Sequence, residues 1–275
     1  MAITLPTVFT AASPATAGEP GGAFVLRTAP GTLSSVSAEV RSLGGTVSRT
    51  MTSFDTMAVS VSGRALATLR RDARVLSATP NAALHLNGAT YDANSDNYSL
   101  MNQENAGGSR QAWGNNNADG HGIDVALIDS GVAPVAGLND AGKVLHGPDL
   151  SPESQNPATA TLDTFGHGTH MAGIIAGHDT GASVYSKNSN DFLGVAPNAR
   201  IVSVKAADAL GSSDVSQVIA GIDWVVQHAH DPGMNIRVLN LSFGTDATQS
   251  YALDPLAFAT EVAWRAGIVV VVSAG

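Results

Sequence analysis

Two strings in this sequence have the residue types and spacing for acid–base chemistry. The first, Asp163-Thr164-Phe165-Gly166-His167-Gly168-Thr169-His170-Met171-Ala172-Gly173-Ile174-Ile175-Ala176-Gly177, places a histidine at the mouth of a helix. Glycines on either side of His167 let backbone come close to the ring, and the small residues further on let the helix pack tightly against a neighbour. The second, Gly122-Ile123-Asp124-Val125-Ala126-Leu127-Ile128-Asp129-Ser130-Gly131, is a nearly continuous apolar run that stops at a carboxylate and a glycine turn. Such a run reads as a parallel strand buried on both faces. Asp129 then sits just past its carboxyl end, where open α/β sheets place their sites. Each string also has an ordinary reading, a core helix that begins with His or an Asp that forms a turn. Together they fit nucleophilic catalysis. A hydroxyl needs a base within hydrogen-bond reach, and imidazole titrates near physiological pH. A buried carboxylate on the other ring nitrogen fixes the tautomer and stabilises the imidazolium without accepting its proton. His167 is the candidate base and Asp129 its orienter. His170, nearly one turn further on, is expected to serve in structural hydrogen bonding.

Asp-Ser-Gly after a buried strand, joined to His-Gly-Thr-His-Met-Ala-Gly opening a helix, resembles the subtilisin-like serine protease family. Chain order agrees, since such enzymes run aspartate, histidine, serine, and Asp129 precedes His167. The family's nucleophile string, Gly-Thr-Ser-Met-Ala, is absent, and the nearest one, Gly244-Thr245-Asp246-Ala247, has an acid where serine would stand. Val272-Ser273-Ala274-Gly275 resembles the segment whose next residue is the oxyanion-hole asparagine. The resemblance therefore implies the N-terminal portion of a serine endopeptidase, made as a zymogen and inactive as these residues stand. Two further stretches are similar to the family's substrate cleft. Asp208, Ala209, Leu210 and Gly211 match its edge segment, against which substrate lies as an added strand, and Ser242, Phe243 and Gly244 match the opposite wall. Without Asp129 and His167, each would read as an ordinary strand and turn.

Two rivals stand beside this reading. A metal site from His167, His170 and His178 is disfavoured by spacing, because a zincin helix sets its ligands four apart around a Glu base. A non-catalytic pseudoprotease or binding module is the other, to be separated by whether a nucleophile motif follows downstream. No cofactor is required for the chemistry. Family members often bind structural calcium, but no full oxygen-ligand set maps onto these residues.

Composition narrows the field further. The 275 residues are 44% hydrophobic, ample for a packed core, and carry a formal charge of -9. That balance gives no basic footprint for nucleic acid. The absence of cysteine excludes disulfides and thiol nucleophiles without fixing the compartment. No apolar run reaches the roughly 18 residues needed to span a bilayer, so no membrane role is expected. Expected partners are polypeptide substrates and the chain's own propeptide in cis, and the resemblance implies an extracellular, secreted enzyme.

The elements that must position the pair fall into two parts. Residues 1–19 read as a leader or clipped signal, with a weak small-residue cleavage site at Ala15-Thr16-Ala17 and no basic residue before Arg27. Residues 20–88 follow the order βαββαβ, with strands at Ala23–Arg27, Thr46–Ser48, Thr56–Val61 and Val75–Thr79. Their helices lie at Thr32–Leu43 and Gly63–Asp72. That order suggests a ferredoxin-like fold, and its place resembles the family's propeptide, an intramolecular chaperone and inhibitor whose tail lies across the cleft. Residues 89–105 read as a polar linker open to proteolytic nicking. Residues 106–275 alternate strand and helix, predicting a mostly parallel sheet covered by helices on both faces. Among these helices, Asp214–His228 is expected to be capped by Ser212 or Ser213, and another by Asp254 with Pro255 as its first residue.

Overall fold

A computed structural model of the chain describes residues 20–86, 104–116, 118–185, 191–244 and 250–273. The expected leader and nearly all of the expected linker lie outside the described residues. The structure divides into two compact units between Asn81 and Ala82.

In the first unit, β1 (Gly22–Thr28), α1 (Leu33–Ser42), β2 (Thr46–Met51), β3 (Thr56–Val61), α2 (Gly63–Leu69) and β4 (Val75–Pro80) follow the predicted order. The sheet runs β2-β3-β1-β4, antiparallel throughout. Its apolar face meets both helices in one core, where Leu26, Met57 and Val59 pack with Val36, Val40, Leu66 and Leu69. Burial at this scale contributes about 1.5–3 kcal/mol per large side chain. It holds each helix to the sheet more firmly than helix propensity would. Ser62 caps α2 by accepting from the Ala65 amide.

The second unit is built on five parallel strands: β6 (Asp124–Asp129), β7 (Val144–Asp149), β8 (Arg200–Lys205), β10 (Ile236–Leu241) and β12 (Val269–Val272). Their order is β12-β10-β6-β8-β7. β6 is central and buried along its whole length. From β6 the chain passes to the β7/β8 side, then crosses to the β10/β12 side, so the strand order diverges at β6. Open α/β sheets form their ligand crevices at such a point.

Alternate β6 side chains face opposite layers. Val125 and Leu127 pack with Ala172 and Ala176 of α4 (His167–Ala176). On the other face, Gly221 of α5 (Val215–His228) lies so near that a Cβ there would stand 3.0 Å from Ile128 and 3.3 Å from Val204. The remaining helices are α3 (Ser109–Asn116) and α6 (Pro255–Arg265). Asp254 caps α6 with Pro255 at its first turn, as expected.

Two expectations of detail change. The cap of α5 is Asp214, which accepts from the Gln217 amide while the Gln217 side chain accepts from the Asp214 amide, a reciprocal capping box. Ser212 and Ser213 belong instead to a short strand, β9 (Ser212–Asp214). Residues 104–107, partly assigned to the linker, are helical. Finally, β5 (Ala83–Leu86) and β11 (Phe243–Gly244) complete the unit, forming a separate sheet β11-β5-β9. Among the described residues, no helix is long and apolar enough to cross a membrane.

Candidate active site

The site begins with the ends of β6 and α4. The Asp129 carboxylate, 1% exposed, meets His167 Nδ1 at 2.8 Å through Oδ1 and at 3.0 Å through Oδ2. Asp129 Oδ1 also accepts the Ser130 amide at 2.8 Å. The close approach of the two elements depends on glycine. At Gly168 a Cβ would collide with the Gly131 carbonyl and come within 3.2 Å of Asp129. Gly131 itself has φ 104° and faces the 161–163 backbone, a conformation that side chains rarely adopt.

A second carboxylate ties the same two segments together. Asp163 accepts from Ser130 Oγ at 2.8 Å, from the Phe165 and Gly166 amides, and from both the amide and hydroxyl of Thr169. Ser130 Oγ in turn accepts the Gly168 amide at 2.9 Å. Asp163 thus satisfies amides at the start of α4, where four donors would otherwise lack partners and a negative charge is favoured. Burial opposes its charge, but the bonds from Thr169, Gly166 and Ser130 outweigh that penalty and hold its carboxyl below the usual range. Thr169 Oγ1 also accepts from the Ala133 amide. His170, by contrast, is exposed. Thr169 takes the structural role expected of it, because one position along a helix turns a side chain by about 100°.

Lys205, at the end of β8, pairs in register with Asp129. Its side chain is 0% exposed and lies 2.9 Å from Glu153. Neither Lys205, Glu153 nor Asp163 was singled out in the sequence as part of the machinery. The available signal was a lysine ending the mainly apolar stretch Ile201–Val204, which reads equally as a solvated strand end.

The residues expected to line a substrate cleft lie on both sides of β5. On one side, Ala83, Leu84 and His85 pair antiparallel with Asp214, Ser213 and Ser212, and the Leu86 amide reaches the Gly211 carbonyl at 3.3 Å. On the other, Leu86 and His85 pair antiparallel with Phe243 and Gly244. Leu84 is 0% exposed. Asp208 builds the turn before β9, its carboxylate accepting the Leu210 and Ser212 amides. Ala209 and Leu210 lie within that turn, Leu210 projecting at 80% exposure. Ser242 Oγ accepts from the Asn240 side chain and precedes the ladder residues rather than joining them. Thus Gly211, Phe243 and Gly244 bond β5, while Asp208, Ala209, Leu210 and Ser242 flank those residues in sequence without joining the ladders.

The histidines of the rival metal reading do not share a centre. His167 faces Asp129, whereas His178 Nε2 lies 3.0 Å from Asp140. Among the described residues, no cluster of three or more His, Asp or Glu side chains is placed to hold a metal ion.

A parallel sheet covered on both faces, with a carboxylate–imidazole pair at the carboxyl end of its central strand, is the layout of an α/β hydrolytic site. Residues 120–275 match the Peptidase_S8 model, described as the subtilase family, and the chain belongs to that family. Serine protease AprX of Bacillus subtilis (strain 168) is 37% identical over 159 residues, covering 57% of this chain and 33% of that protein. Minor extracellular protease Epr of the same organism is 32% identical over 181 residues, covering 66% and 24%. The chain thus spans between a quarter and a third of these relatives. The crystal structure of fervidolysin from Fervidobacterium pennivorans, a keratinolytic enzyme related to subtilisin, matches with a TM-score of 0.67 at 22% identity. It covers 93% of this chain and 40% of that one. That likeness is one of fold.

Proposed function

We propose that the protein is a secreted serine endopeptidase, made as a zymogen, in which Asp129 and His167 are two members of an Asp-His-Ser triad. The observation that carries this reading is the 2.8 Å contact between His167 Nδ1 and the buried Asp129 carboxylate. With Nδ1 committed to that bond, Nε2 is the nitrogen that takes the serine proton as the hydroxyl attacks a peptide carbonyl. The same nitrogen then protonates the departing amine, and water releases the acyl group by the reverse sequence. No Gly-Thr-Ser-Met-Ala string occurs in these residues, so serine and oxyanion asparagine are supplied by the longer protein, and the chain as given is inactive. Relatives named as serine and extracellular proteases support both the chemistry and secretion.

The sheet β11-β5-β9 supports the zymogen reading. Ala83–Leu86 is held by antiparallel ladders on both sides, in the manner of strand-addition peptide recognition. In this reading, residues 20–88 act as inhibitor in cis and the chain cuts itself between about Leu86 and Asn105.

The test uses the full-length protein. His167→Ala should lower casein hydrolysis by about 10⁶-fold, and it should also block processing in a host lacking other proteases. Mass spectrometry of the active enzyme should place its new amino terminus between Leu86 and Asn105. Undiminished cleavage by the His167→Ala protein would overturn the reading, and a full-length wild type that cleaves nothing would favour the pseudoprotease alternative.

A further inference from the structure

We propose that Lys205 is a positioning residue for the Asp129–His167 pair, clamping the turn after Asp129 to the loop that delivers His167. This assignment rests on the protease reading for its catalytic consequence, but its geometry stands apart from it. The ammonium donates to the Ser130 carbonyl at 3.0 Å, the Leu162 carbonyl at 2.7 Å and Thr164 Oγ1 at 3.1 Å, with Glu153 Oε2 at 2.9 Å. Ser130 follows Asp129 directly. Leu162 and Thr164 flank Asp163 and lie within five residues of His167. Thr164 Oγ1 also donates to Glu153 at 2.6 Å, closing the group. On the backbone, the amides of Ala206 and Ala207, which follow Lys205, both donate to the Asp129 carbonyl. One cation therefore joins three segments, and it touches neither the Asp129 carboxylate nor the imidazole.

Its burial needs a reason. Within β8 (Arg200–Lys205) its neighbours Ile201, Val202 and Val204 are fully buried. Placing an ammonium there costs several kcal/mol of desolvation, and an apolar residue of similar size is often as stable or better. An ammonium has three donors, and here they are shared among carbonyl, hydroxyl and carboxylate oxygens from the segments that must be held in register. A point charge fixes those distances, whereas apolar packing at the same place would let the turn and the loop slide. Lys143 is the contrasting case. It too is buried and donates to two carbonyls, Pro197 and Ala199, but neither segment leads to Asp129 or His167.

In full-length protein labelled with ¹⁵N-histidine, the low-field Nδ1 proton of His167 reports its bond to Asp129. Lys205→Met should abolish the sharp resonance. It should also lower kcat on the order of 10- to 100-fold, as misplacement of about 1 Å does, while KM stays unchanged. Lys143→Met, the control for losing a buried ammonium, should keep the resonance. Thr164→Val removes one partner without burying a new polar group and should shift the resonance with a smaller loss of kcat. It decides the matter if Lys205→Met does not fold. A wild-type resonance in folded Lys205→Met, or in Thr164→Val if the former is unfolded, would overturn the proposal. A resonance that responds in a protein without peptidase activity would uphold the clamp and sink the protease reading instead.

Discussion

At the scale of single residues, the site depends on carboxylates doing different work. Asp129 orients the imidazole, while Asp163 anchors the start of α4 and the Ser130 turn. Asp163→Asn should therefore destabilise the fold by about 1–3 kcal/mol at neutral pH, the cost of weakening charge-assisted bonds to buried donors. Because the Asp163 carboxyl is held below the ordinary aspartate value of 3.8, its stabilisation is complete above that pH. It is lost as pH falls through the depressed value. Urea denaturation of both proteins should show a gap that is constant from pH 5 upward and closes below about 3.8. Asp129 and His167 were legible because each stands at the junction of a clear apolar pattern and a glycine turn. Asp163 stood within the same motif, but its role was not legible, since it arises from a fold that returns residues 130 and 169 to one carboxylate. Lys205 was hidden for the same reason.

At the scale of elements, long patterns could be read and short ones could not. The βαββαβ unit, the apolar β6 and the helices at 167–176 and 255–265 all carry several turns or alternations of pattern. β9 has three residues and β11 two, too few for any period, and each becomes a strand only because β5 lies between them. Sequence alone reads Ser212 or Ser213 as the cap of α5 with Asp214 already helical, and only tertiary pairing commits both serines to β9 and leaves Asp214 as the cap. Leu84 is the apolar anchor of β5. Leu84→Ala should weaken its docking by about 2–5 kcal/mol, the usual range for truncating a buried leucine. Hydrogen exchange read by mass spectrometry should show faster exchange at the Leu86 amide, which donates to Gly211. The core amides of β6 should be unaffected. Equal protection in both proteins would mean that the ladders alone hold the strand.

For the whole molecule, the open side of the parallel sheet matters most. β12 pairs with β10 on one side, and among the described residues it ends the sheet order. Val269, Val271 and Val272 are 51%, 47% and 59% exposed. An apolar β-branched edge without charge or proline invites pairing with another chain. The 275-residue chain should therefore self-associate in light scattering, and Val271→Lys should return it toward a monomer. A monodisperse unmodified chain would mean that something protects this edge. The inserted strand carries the opposite lesson. β5 is joined through the chain beyond Leu86 to β9 and β11, so the covalent link presents it to them at an effective concentration on the order of millimolar. Severing the chain after Leu86 would turn that tethered contact into an ordinary encounter between two molecules. Dilution would then release the strand where crowding would keep it docked, and the filling of the gap between β9 and β11 would become a matter of how many copies share a volume.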